Sequence, residues 1–333
     1  MTRLPILLLV PVLAGCETLA FYTQSARGQL GVMAASRPAA DVVADPDTPE
    51  PVRRRLSELP AMRRFAVDQL GLPETDSFRL YADVQREALL WSLVAAPVDS
   101  LEPKEWCYPI AGCAAYRGYF DQQDAQTHAA RLASEGWDTA VLPVPAYSTL
   151  GWFSDPMPST VIGWPLPDIA GLVFHELAHE SLYLPGDSTF NESYATVIEQ
   201  EGVRRWLQRY GSQEQRRMYA LAEKHRQALL ALIEQTRARL EAVYETDSER
   251  EQLLRQKAAI LQALRERYLL MREGWDGFAD YDRRFDRPFN NADIASFNTY
   301  HALVPAFRQI LVQVGGDMAA FQAECRAIAA MQP

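Results

Sequence analysis

The chain has 333 residues, 48% of them hydrophobic and 23% charged, with 33 Lys and Arg against 43 Asp and Glu. That composition suits a folded protein with an ample core and excludes disordered and collagen-like chains. The net charge of −10 speaks against a nucleic-acid partner, whose phosphates attract clustered Lys and Arg, and four Cys are too few for a disulfide framework.

The N-terminus opens with Arg3 in a short basic start, followed by an apolar run over Leu4–Ala14. The run is too short to span a bilayer as a helix and has the build of a secretory signal. Leu13-Ala14-Gly15-Cys16 resembles the bacterial lipoprotein box, which implies cleavage after Gly15 and a lipid on Cys16. Glu17, where inner-membrane retention uses Asp, implies the periplasmic face of the outer membrane. Residues 1–15 are therefore expected to be a signal peptide. Residues 16–50, with small and Pro-rich stretches, read as a lipidated tether that can also wrap the body. Residues 51–333 read as one domain, with no internal repeat.

From Pro51 to Gly71, apolar residues at helical spacing (Leu56, Leu59, Met62, Phe65, Ala66, Leu70) predict a helix stopped by Gly71. Residues 104–165 change character and look like the chain's only sheet, with strands expected near Tyr108–Ile110, Ala114–Phe120, Thr139–Val144 and Val161–Trp164. A helix at 122–135, ending at Gly136, interrupts them. Cys107 and Cys113 flank a turn-prone segment and, after export, form either a local disulfide or two buried thiols; Cys325 has no sequence-local partner. After Asp168 helices return. Residues 213–273 are nearly free of Gly and Pro, which predicts an antiparallel helical hairpin broken at Thr246-Asp247-Ser248, with Ser248 as cap of the second helix. This arm is either a solvated wall or a docking surface for a protein partner. Residues 317–331 form a last helix. Strands followed by helices indicate an α+β fold with a small mixed sheet.

The chemistry sits in His175-Glu176-Leu-Ala-His179-Glu180. Two His at i and i+4 share one helical face, so both imidazoles reach one metal ion. Zinc accepts three protein ligands and keeps a place for water, and Glu176 can take that water's proton. Asp168 is the expected N-cap of this helix and Pro185-Gly186 its end. Leu182 and Pro185 stand where the metzincin continuation needs Gly and His, which excludes that class. Glu180 is expected to face solvent.

Beyond His179, Asn191-Glu192-Ser-Tyr-Ala195 opens another helix and resembles the gluzincin metallopeptidases (thermolysin and the zinc aminopeptidases), which implies Glu192 as third ligand. Thr189-Phe-Asn-Glu192 also fits a capping box, in which Glu192 merely ties up a backbone N–H. Glu199, nearly two turns on, is the reserve ligand or a carboxylate orienting an imidazole. His128 and His301 are distant alternatives, and His225 reads as solvated. Four segments together resemble the putative bacterial aminopeptidase family of predicted zinc lipoproteins. They are Tyr116-Arg-Gly-Tyr-Phe120, Ala146–Pro156, His175–Ala195, and Phe289-Asn-Asn-Ala292 with Tyr300.

The resemblance implies a zincin-like, HExxH-bearing metallopeptidase with one zinc and a peptide substrate. In zincin-like folds a strand upstream of the metal helix pairs with extended substrate, which implies Tyr147, Ser148, Thr149 and Gly151 as substrate-binding; an ordinary packed turn is the alternative. In gluzincins a Tyr or His from beyond the metal helices steadies the oxyanion. Tyr300, on a helix over Asn290–His301, is the candidate, with His301 as substitute and a core Tyr as the plain reading. The expectation is a zinc-dependent aminopeptidase anchored in the bacterial envelope. The alternatives are a zinc endopeptidase or amidase acting on cell-wall peptides, and a non-enzymatic scaffold with a structural metal.

Overall fold

The computed structural model describes residues 9–109, 112–275 and 281–331. The first eight residues of the expected signal peptide, the side chains up to residue 17 (Cys16 among them) and the strand position Ile110 lie outside the described residues.

The chain opens with α1 (Leu9–Ala34), β1 (Ser36–Pro38), α2 (Ala39–Ala44) and α3 (Glu50–Leu70). The expected apolar face of α3 is buried, and Gly71 closes the helix at φ +66°, a left-handed geometry that Gly adopts without Cβ strain. The later part of the expected tether lies against the body: Val32 and Val42 are buried, and β1 pairs antiparallel with β2 (Leu80–Ala82). No described helix is long and apolar enough to cross a membrane.

The middle of the chain holds β3 (Leu90–Pro97), β4 (Trp106–Tyr108), β5 (Gly112–Ala114), β6 (Arg117–Tyr119), α4 (Gln122–Ser134), β7 (Trp137–Val144) and β8 (Met157–Pro158). The sheet is ordered β6-β3-β7, antiparallel throughout, with register running from Leu90 opposite Val144 to Pro97 opposite Trp137. Its central strand, β3, went unrecognised in the sequence, as did β1 and β2. The expected strand at Ala114–Phe120 is two short pieces, β5 and β6. The strand expected at Val161–Trp164 is instead a 3-10 turn over Ser159–Val161, bonded from Ile162 N and Trp164 N back to Ser159 and Val161. Cys107 and Cys113 face each other across β4–β5 and form a disulfide, whereas Cys325 is a buried thiol. A second sheet, β1-β2-β8, leaves β8 at its edge.

The helical half contains α5 (Leu166–Ser181), α6 (Ser188–Tyr210), α7 (Gln213–Tyr244), α8 (Arg250–Arg272), α9 (Asp282–Phe285), α10 (Asn291–His301), α11 (Val304–Gln313) and α12 (Met318–Ala330). The expected hairpin arm is α7 and α8, but Ser248 does not cap α8: Glu249 holds that position, and Ser248 bonds Thr246. Asp168 is not the cap of α5 either. The helix starts earlier because Pro167 needs no donor in a first turn, and Asp168 complements the dipole there. It also stops earlier, at Ser181.

Alternation along β3 divides the packing. Leu93 and Ala95 bury against Ala125, Ala129 and Leu132 of α4, while Val94 packs with Ala140 against Ala292 of α10. Helix α10 thus lies between the sheet and α6. The main core joins α3, α5, α6, α11 and α12. A Cβ on Gly202 would come within 2.6 Å of the Phe174 ring, and one on Gly171 within 3.1 Å of Val203. These two bare positions let α5 and α6 approach closely.

Candidate metal centre

Helices α5 and α6 bring His175, His179 and Glu192 together, with their ligand atoms all within 4.8 Å of one another. Nε2 of His175 lies 3.3 Å, and Nε2 of His179 3.6 Å, from the same Oε2 of Glu192. Two ligand atoms on a tetrahedral zinc with bonds of about 2.05 Å stand about 3.4 Å apart, which these distances match. His175 Nδ1 donates to Glu199 Oε2 at 3.0 Å, so its Nε2 carries the lone pair unless protonated. A proton or a metal ion between that nitrogen and the carboxylate makes their approach favourable. The donor set and its spacing therefore fit a metal ion.

Glu192 is not a helix cap. The N-cap of α6 is Asp187, which accepts from Phe190 N at 2.8 Å, and the Glu192 side chain is buried among the histidines. Asn191 closes the α5–α6 loop: it accepts from Leu184 N at 2.7 Å and donates to Leu184 O at 2.8 Å. That clamp explains how so short a loop can return Glu192 to the histidines.

Burial alone would raise the Glu192 carboxyl, but hydrogen bonds and charge from His175 and His179 override it and hold the group well below the carboxylate range. The converse holds for His175. Burial would lower it, yet the Glu192 and Glu199 carboxylates raise it well above an ordinary imidazole. Glu176 is raised by burial, against the histidines' charge, which suits a group that takes up a proton.

Tyr116 was not singled out in the sequence. Its hydroxyl donates to Glu192 Oε1 at 3.1 Å, occupying the oxygen turned away from the histidines. The one sequence signal was its place in a family-like segment. Tyr300, on α10, is half-buried; burial first, then the Glu192 and Glu176 carboxylates, raise its phenol far above the usual value. Ser193 fixes that end of α10, donating to Tyr300 O at 3.4 Å and accepting from Leu303 N at 3.2 Å. His301 is pushed down to about 4 by burial and the nearby Arg226, so it is neutral at physiological pH. His225 is buried and stacked on Trp275, not solvated, and His128 bonds Tyr119.

The segment after Val144 is a turn, not an edge strand. Asp155 accepts from Thr149 N and Thr149 Oγ1, both at 2.7 Å, and Leu150 and Gly151 have φ of +57° and +78°. Tyr147 donates to Gln29, and Ser148 accepts from Leu150 N at 3.1 Å. Of these four residues, Gly151 lines a cavity of about 780 Å³. Glu180 lines it too and does not point to solvent: its Oε1 is buried with no hydrogen-bond partner.

Glu199 bonds Nδ1 of His175, the ring nitrogen away from Glu192. Glu199→Gln is expected to weaken metal binding about 10–100-fold without abolishing it, as competition with a chelator would measure. Complete loss would make it a ligand.

This α+β protein thus gathers two histidines and a glutamate around one point, a triad that could hold a metal ion, with Glu176 buried on the same helix as the histidines. The chain belongs to a protein family described as "Putative aminopeptidase", which it matches over residues 20–333. Nothing matches it among curated proteins or among solved structures.

Proposed function

We propose that the protein is a zinc-dependent aminopeptidase with a zincin-like active site, held in the bacterial envelope by a lipid on Cys16. The supporting observation is the approach of both imidazole Nε2 atoms to one Glu192 oxygen, at 3.3 and 3.6 Å, beside the buried Glu176. When bound, zinc would polarise the scissile carbonyl and lower the pKa of a water towards about 7. The carboxylate of Glu176 takes the proton from that water and delivers it to the leaving amine nitrogen. Glu199 orients His175, and Tyr116 orients Glu192. Metal analysis and peptide-library cleavage by the soluble form lacking residues 1–16 test the reading. A metal-free protein, or a metal-loaded one that cleaves no peptide, would refute it.

In this reading Tyr300 donates a hydrogen bond to the oxyanion, supported by the influence of the Glu192 and Glu176 carboxylates on its phenol. Tyr300→Phe should lower kcat on the order of 10²–10³-fold with metal content and KM nearly unchanged. A normal kcat in that variant would assign the phenol to packing alone.

The lipid at Cys16 supplies the anchor, on the periplasmic side and most simply on the outer membrane. Several acyl chains hold a protein firmly where one does not. Cys16→Ser should therefore move the protein from the membrane fraction to the soluble periplasm, and unchanged fractionation would overturn the anchor.

A further inference from the structure

Asp293 is fully buried, and Arg287 grips both its oxygens at 2.9 and 2.6 Å. Arg284 also approaches Asp293, but only to 3.8 Å, and its Nε and Nη2 are buried without a hydrogen-bond partner. Its guanidinium lies 4.6 Å from the Phe297 ring centroid, on an apolar face. Among the described residues two guanidinium groups thus share one carboxylate, which leaves a net positive charge on a partly exposed Arg284 whose Nε and Nη2 are shut off from water. A cation there is costly unless an anion joins it.

Space for that anion exists. Arg284 lines a cavity of about 230 Å³ together with Tyr116, Ser296, Thr299, Tyr300 and His301. The volume is below the roughly 300–1,000 Å³ of sites for drug-sized ligands, so it takes one small group. Tyr116 is itself bonded to Glu192, which puts the cavity one side chain from the metal centre. A single excess positive charge on a planar fork matches a singly charged, planar carboxylate.

We propose that Arg284 binds a carboxylate of the peptide substrate in this cavity, either the chain-terminal group or an acidic side chain next to the scissile bond. The anion site stands on the Arg284–Asp293–Arg287 arrangement and the cavity. Its assignment to a peptide rests on the proposed peptidase activity. The enzyme would then prefer very short peptides or acidic residues beside the cleaved bond.

The test is calorimetric binding to the metal-loaded protein of N-acetylalanine, N-acetylaspartate α-amide and N-acetylalaninamide. These present a terminal carboxylate, a side-chain carboxylate and none. One of the two carboxylates should bind about 10–100-fold more tightly than the neutral amide, the range of a hydrogen bond to a charged group. The one that does so identifies the source. Arg284→Met should erase the preference and leave the amide's affinity unchanged. If that variant does not fold, Arg284→Gln carries the same readout. Absence of preference in the native protein, or a preference that survives the substitution because the carboxylate sits on the metal, would overturn the proposal. Failure to cleave any peptide would instead remove the peptidase reading, and the binding result would still decide the anion site.

Discussion

Glu176→Gln is expected to reduce peptide hydrolysis about 10²–10⁴-fold while the protein keeps its metal. The amide has nearly the size of the carboxyl and fits the same buried place on α5, so α5 and α6 keep their packing. What it lacks is a basic oxygen. Burial already raises the native carboxyl above its usual value, so it is a better proton acceptor than an exposed glutamate. In the variant the water's proton has no acceptor at that position, and the leaving amine has no donor. The measurement is kcat on a cleaved peptide together with metal stoichiometry. Unchanged turnover at full metal loading would place the base elsewhere and revive the scaffold alternative.

The second large effect is on metal binding. His175→Ala, His179→Ala and Glu192→Gln should each abolish stoichiometric metal. Each leaves two protein ligands for an ion that needs three, and Glu192 supplies the only ligand carboxylate of the triad. Glu192→Gln has a further consequence, because the same carboxylate bonds Tyr116 and faces both histidines. Its replacement removes the negative charge that balances them, so the apo variant should lose stability relative to the native protein at pH 7, where the Glu192 and Glu199 carboxylates raise His175 well above an ordinary imidazole in the absence of metal. The raised His175 stabilises the metal-free fold fully below an unfolded imidazole's pKa of about 6.5, and that contribution disappears as pH rises through the higher folded value. Full metal occupancy in the double histidine variant, measured by elemental analysis, would refute the site.

The metal helix was legible because its message is local. Two His and a Glu within one turn and a quarter of helix announce a shared face whatever surrounds them. The α3 face, the α7–α8 hairpin and the last helix were legible for the same reason, as long periodic runs. Strand β3 was not. Its residues 90–97 read LWSLVAAP, buried on both faces between α4 and α10, so no polar alternation marks it. The choice between ligand and cap for Glu192 could not be made locally either, because Asp187 takes the cap and only the fold shows it. Tyr116, Glu180 and Arg284 were out of reach in a stronger sense. A lone Tyr, Glu or Arg carries no pattern, and each matters only through neighbours that are far away in sequence.

The same arrangement has a consequence for the order in which the site is assembled. His175 and Glu192 are 17 residues apart and meet across one helix–loop–helix unit, whereas Tyr116 reaches Glu192 over 76 residues and Ser193 bonds the Tyr300 carbonyl over 107. Contacts between neighbouring segments close with little loss of chain entropy and form early, while distant ones form late. During synthesis the α5–α6 unit is finished before α10 exists. In the proposed enzyme the metal ligands would therefore meet before Tyr300 and Tyr116 are both in place, and hydrolytic competence would wait for the contacts that are most distant in sequence.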